Sequence, residues 1–170
     1  FRSLASLRLE ALDVLMLHRA SHIYQWNGAA WDRLIEHKNA SRIHRLGVSV
    51  QTPDELESIL NIPDIIFIQM PFNILDWRWD SAINKIIEEK RKRQLIIHTR
   101  SALLQGLLTS SSKERWNQAH VPNPKIITRW LREQSEINNK KSVVDFCLGF
   151  VMSCDWIDGV VVGVDNYEQL

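Results

Sequence analysis

Short apolar runs in this chain end on side chains able to bind or polarise a ligand. Val14 to Leu17 ends on His18, Ile43 to Val48 on Ser49, Ile65 to Ile68 on Gln69, and Leu95 to Ile97 leads into Thr99-Arg100-Ser101. An imidazole can donate or accept a proton near neutral pH. A hydroxyl and a carboxamide can grip an amide, and a guanidinium can pair with an anion or stack on a ring. Taken singly, His18 reads as a structural histidine and Gln69 as a loop hydrogen bonder. Their shared position at the ends of runs favours one common binding site.

Such a site needs a scaffold that gathers strand ends. Continuous Val/Ile/Leu runs, Val160 to Val162 among them, suit strands covered on both faces. Between them lie segments of helical period: Trp31-Leu34-Ile35-Lys38, Pro53-Leu56-Ile59-Leu60, Ala82-Ile83-Ile86-Ile87 and Val143-Val144-Cys147-Phe150-Val151. Alternating strands and helices imply parallel pairing through right-handed crossovers, hence an α/β sheet or barrel. In those folds ligands sit beyond the carboxyl ends of the strands. Thr52-Pro53-Asp54-Glu55 supplies a cap, a proline at the first helical position and acids in the first turn. Leu4, Leu7, Leu9 and Leu12 read as an opening helix. From Arg100 to a helix around Ile126 to Glu133 the chain reads as one long loop, either a substrate or cofactor loop or a mobile excursion. The run Glu88-Glu89-Lys90-Arg91-Lys92-Arg93 closes a helix, where cations complement the dipole.

Composition narrows the partners. A chain of 170 residues with 45% hydrophobic content suits one domain, spanning residues 1–170, around a continuous core. Its 21 Lys and Arg nearly balance 20 Asp and Glu, so neither nucleic acid nor anionic lipid is an expected partner. No apolar run approaches the roughly 20 residues a membrane span needs, and FRSLASLRLE has no signal-peptide core, so a cytoplasmic protein is expected. Cys147 and Cys154 fall in a stretch that reads as helix, about 10.5 Å apart on one face, too far for a disulfide. They read as buried thiols in a reducing compartment.

Among the histidines His18, His22, His37, His44, His98 and His120, only the first two are close, and their spacing faces a metal only on a helix. With His18 on a strand end, no metal site is expected. There is no GxGxxG turn, P-loop, GxSxG elbow or HExxH helix, so any nucleotide must be held otherwise. The chain opens at Phe1 inside what reads as a helix, and a fragment is expected.

Five segments in order, "LDVLMLHRA", "IHRLGVSV", "FIQMPFNILD", "IIHTRSALLQGLL" and "IDGVVVGVDNYEQL", resemble strands four to eight of the aldo-keto reductase superfamily, in its bacterial oxidoreductase-like branch. The resemblance implies a (β/α)8 TIM-type barrel, represented by its last five βα units, with NADP or NAD bound extended across the barrel mouth. It makes His18 the catalytic histidine that hydrogen-bonds the substrate carbonyl as hydride arrives. The family's tyrosine, lysine and aspartate would precede Phe1, and neither Tyr24 nor Tyr167 lies where that tyrosine should be. These residues alone are therefore expected to be inactive, needing the missing N-terminal half of the barrel.

By the same resemblance, Ser49 and Gln69 hold the nicotinamide carboxamide, with Val50 where relatives carry an asparagine. Ser101, Leu103 and Gly106 wrap the pyrophosphate, and Gly163 belongs to the loop after the eighth strand. Arg100 stands where many relatives stack an aromatic ring. It reads as a stacking or phosphate-pairing group, or as a plain surface arginine. Asp165 and Glu168 would repel a 2′-phosphate, which favours NADH use at least equal to NADPH. Trp77, Trp79 and Trp116 are expected in loops on the same mouth, either as aromatic walls for a carbonyl or sugar substrate or as packing anchors. "RSALLQGLL" resembles reductases encoded with surface-polysaccharide enzymes, which points to a sugar and to carbohydrate metabolism. The expected function is NAD(P)H-dependent carbonyl reduction, or sugar or alcohol oxidation, by a longer chain. A non-catalytic cofactor-binding barrel or auxiliary subunit is the alternative. Exposed sheet edges in a partial barrel invite pairing with another chain, so a homo-oligomer also enters the expectation.

Overall fold

Local polar chemistry starts the helices. Thr52, in extended backbone, accepts the N–H of Glu55 at 3.2 Å, and the Glu55 carboxylate accepts the N–H of Gln51 at 2.6 Å. With Pro53 at the first helical position, this sets the start of Pro53–Leu60, whose Leu56, Ile59 and Leu60 are buried. Each such side chain contributes about 1.5–3 kcal/mol on burial. Ser112 and Ser142 cap two later helices in the same way.

The structure is a computed structural model and describes residues 2–164, 166 and 167. In chain order the elements are α1 (Arg2–Leu7), β1 (Leu12–Leu17), α2 (Ala29–Asn39), β2 (Ile43–Ser49), α3 (Pro53–Leu60), β3 (Ile65–Pro71), α4 (Asp80–Lys92) and β4 (Ile96–Arg100). There follow α5 (Lys113–Gln118), α6 (Pro124–Ile137), α7 (Val143–Met152) and β5 (Gly159–Val160). Among the described residues these strands form one parallel sheet in the order β1-β2-β3-β4-β5.

Two compact units make up the chain. The first runs to Met70 and resumes over Arg78–His98. In it β1 pairs with β2 in parallel, Leu12 opposite Ile43 and Leu17 opposite Val48, and β2 pairs with β3, Ser49 opposite Gln69. The register shifts between Leu46 and Gly47. A side chain at Gly47 would meet the Phe67 carbonyl oxygen at 2.6 Å and Met16 Cγ at 2.9 Å, so only glycine allows these three strands to approach here. Arg93 closes the bottom of this unit by donating to the carbonyls of Leu60 and Ile65, each at 2.6 Å.

The second unit comprises Pro71–Trp77 and the chain from Thr99 onward. Its core gathers Leu108, Trp116, Leu131, Phe146 and Cys147, with Phe72 edge-on to Trp156 at 5.0 Å.

Several expectations need correction. The opening helix stops at Leu7, because Arg8 adopts φ 55°, so Leu9 and Leu12 are not on it. Helix α7 ends at Met152, which leaves Cys154 beyond it, its thiol donating to the Phe150 carbonyl at 3.5 Å; the same-face spacing of the two cysteines does not hold. Cys147 is buried, as expected, and burial pushes its thiol up to about 11, while Cys154 is only partly covered. Strand β5 is two residues long, Gly159–Val160 rather than Val160 to Val162, and just beyond it the Val161 N–H donates to the Thr99 carbonyl at 2.7 Å. The long loop after Arg100 holds a helix, α5, whose single buried side chain, Trp116, leaves no periodicity to read.

Candidate active site

Parallel register lines up the first group. Leu17 faces Val48 and Ser49 faces Gln69, so His18, the residue after β1, and Ser49, the last of β2, reach the carboxyl end of the sheet together with Gln69. Strand β3 runs on to Pro71, so Gln69 lies within it rather than at its end. His18 is exposed, Ser49 buried and Gln69 half-buried. The Gln69 carbonyl accepts the N–H of Val50 at 2.9 Å, and Val50 itself is buried. Val50 thus offers its backbone to the neighbouring strand and no polar side chain to a ligand. The arrangement presents a hydroxyl and a carboxamide side by side, with an accessible imidazole one strand away.

The second group belongs to the other unit. Arg100 ends β4, and its guanidinium lies 3.4 Å from the Ser101 hydroxyl. Ser101, Leu104, Gln105 and Gly106 all adopt positive φ, at 65°, 46°, 53° and 77°. Bonds from the Leu104 N–H to Ser101 and from the Leu107 N–H to Leu104 hold the turns. The N–H groups of Leu103, Gln105 and Gly106 have no acceptor among the described residues. Free N–H groups in a turning backbone suit an anion.

Sequence reasoning missed Arg115. Its guanidinium donates to the Gln105 carbonyl at 2.5 Å and would lie 3.6 Å from a Cβ at Gly106, so it braces this loop from ten positions away. The one available signal was the Ser112 cap, whose hydroxyl accepts the Arg115 N–H.

The tryptophans separate. Trp77 is 78% exposed, whereas Trp79 is fully buried at the entry to α4. Trp116 sits on α5 rather than in a loop, buried, with its indole N–H donating to the Ser110 carbonyl at 2.9 Å. Both buried rings act as packing anchors here. Gly163 follows β5 in open surroundings. Asp165 and Glu168 lie outside the described residues. Thr99, next to Arg100, is buried with its hydroxyl unpartnered among the described residues.

Comparison with known proteins agrees with this architecture. The aldo-keto reductase AKR11C1 from Bacillus halodurans, in its holo form, superposes with a TM-score of 0.75 at 21% identity, covering 99% of this chain and 56% of its own. The glycerol dehydrogenase AKR11B4 from Gluconobacter oxydans gives 0.65 at 21% identity, covering 93% and 51%. This chain therefore spans about half the length of those proteins, and the likeness identifies the fold as a portion of a (β/α)8 barrel. No curated protein matches it in sequence. The model of the Aldo/keto reductase family matches residues 1–170, and the chain belongs to that family.

Proposed function

We propose that the full-length protein is an NAD(P)H-dependent oxidoreductase that reduces a carbonyl, or oxidises a sugar or alcohol, by hydride transfer. A bound nicotinamide cofactor supplies or accepts the hydride. The residues present fit such a group: three N–H donors without acceptors mark the Ser101 to Gly106 loop, beside the braced Arg115, and Arg100 ends the preceding strand. Ser49 and Gln69 hold a carboxamide by complementary hydrogen bonds. His18 donates a hydrogen bond to the substrate carbonyl oxygen and orients it, which stabilises negative charge there.

The observation that carries this reading is the register that brings Ser49 opposite Gln69, with His18 one strand away. Trp77, exposed, is the substrate-facing tryptophan of the proposal, and a sugar is the favoured substrate class. NADH serves at least as well as NADPH, because the sequence from Gly163 to Gln169 includes Asp165 and Glu168 and no cation. The 170 residues alone lack a tyrosine at the proton-donating position and do not reduce carbonyls.

Titration of the full-length protein with NADH and NADPH, followed by a screen of sugars and aldehydes for loss of reduced cofactor, tests the proposal. Binding with turnover is expected. Absence of cofactor binding overturns it, and binding without turnover on any substrate supports the auxiliary-subunit reading instead. A preference above about tenfold for NADPH, roughly 1.4 kcal/mol, overturns the cofactor assignment.

A further inference from the structure

Helix α5 and the loop before it share one small core. Leu108 and Trp116 are buried in it, and Leu103, Leu104 and Leu107 pack against it. The Trp116 indole donates to the Ser110 carbonyl and the Ser112 hydroxyl caps α5, so the helix is seated on the loop that leads into it. Burying Trp116 turns the preceding residue about 100° away from the core. That residue is Arg115, exposed and beside the loop.

The Arg115 guanidinium is only partly engaged. Its Nη2 donates to the Gln105 carbonyl at 2.5 Å, while its Nη1 has no acceptor among the described residues. Arg33 and Arg45 pair with Glu36 and Asp13, but among the described residues no carboxylate pairs with Arg115. The adjacent Glu114 accepts from the Ser112 hydroxyl at 2.8 Å instead. Bracing a neutral carbonyl requires a donor and no charge. The uncompensated charge lies where the Leu103, Gln105 and Gly106 N–H groups also lack acceptors. Nη1 is 3.6 Å from a Cβ built at Gly106. A Cβ stands about 2.5 Å from its own nitrogen, so Nη1 and the Gly106 nitrogen are at most about 6 Å apart. One phosphate group spans that gap with an oxygen on each donor.

We propose that Arg115 is a side-chain ligand for the diphosphate of the nicotinamide cofactor, its Nη2 holding the loop and its Nη1 reaching the anion. The proposal rests on the cofactor reading given above. A planar guanidinium can serve both partners at once, and its bond to a phosphate oxygen is charge-assisted. The backbone N–H groups then supply direction, and Arg115 supplies the positive charge.

Calorimetric titration of the full-length protein and its Arg115→Gln variant with ADP, NADH and NADPH tests this. The position is exposed, and circular dichroism checks that the variant is folded. Arg115→Gln should bind all three about tenfold more weakly, and its affinities should fall less steeply with added salt than those of the parent. Unchanged affinity for ADP and NADH overturns the proposal. So does a loss that keeps the parent's full salt dependence, which marks a brace for the Gln105 carbonyl alone. A loss confined to NADPH also overturns it, since the contact then belongs to the 2′-phosphate. If the parent binds ADP but neither dinucleotide, and the variant weakens ADP with a shallower salt dependence, the diphosphate contact stands and the cofactor reading falls. A parent that binds none of the three overturns both.

Discussion

Gln69 stands directly opposite Ser49 in the parallel register of β2 and β3, and its backbone carbonyl takes the N–H of Val50 at 2.9 Å. The backbone bond fixes the two side chains as neighbours without consuming either polar group. A pair presented in this way can bind an amide while the sheet itself bears the cost of positioning it.

His18 and the Ser49–Gln69 pair should separate in kinetics. In the full-length protein, His18→Asn should lower kcat/KM by about 10²-fold with cofactor affinity unchanged, as the role proposed for the imidazole at the substrate oxygen requires. Gln69→Ala raises the cofactor Kd by about five- to tenfold, the loss of roughly 1 kcal/mol of hydrogen bonding. Fluorescence titration beside steady-state rates reads both. An unchanged Kd in Gln69→Ala would remove the carboxamide role.

Gly47 has no room for a methyl group, being 2.6 Å from the Phe67 carbonyl oxygen at its would-be Cβ. Because that obstacle is backbone, Gly47→Ala must shift β2 against β3 and should destabilise by about 1–3 kcal/mol. A lower thermal midpoint checks this, and an unaltered one contradicts the close strand approach.

Glu89 accepts from Lys92 at 2.8 Å and from Arg93 at 3.3 Å, and these bonds, that to Lys92 first, hold its carboxyl below the usual range. A depressed folded pKa contributes stability above the unfolded value and loses it as pH falls through the folded one. Thermal midpoints should therefore fall less from neutral to acid pH in Glu89→Gln than in the parent. Lys92, raised by Glu89, shows the opposite sign, its contribution fading as pH rises through its folded value. Arg93→Ala is the harsher change, because the Leu60 and Ile65 carbonyls both lose their donor, at about 1–3 kcal/mol.

Thr99 offers a stabilising substitution. Its buried hydroxyl has no partner among the described residues, so Thr99→Val keeps the shape and removes the desolvation penalty. The thermal midpoint should rise, by about 1 kcal/mol of stability. A fall would show that the hydroxyl is bonded in solution.

Much of the scaffold was legible from residues alone, because its signals are local. Short apolar runs mark β1, β3 and β4, one with polar interruptions marks β2, and Thr52-Pro53 announces α3 through a cap bond three residues long. The ends of those runs pointed to His18, Ser49 and Arg100 for the same reason. What escaped depended on neighbours distant in the chain. Trp79 and Trp116 look alike as loop tryptophans in sequence, yet both are buried, since only packing decides whether a ring faces solvent or core. Helix α5 was hidden because one short turn with a single inward ring has no period to detect.

The polar residues at the ends of the apolar runs and the helix caps are properties of the chain itself, written in residue type and spacing. Only the tertiary structure decided that Gln69 lies beside Ser49, that Arg115 braces Gln105, and that Gly47 must stay bare. Register and close approach arise when strands far apart in sequence settle against one another, and short-range preference carries no record of that fit.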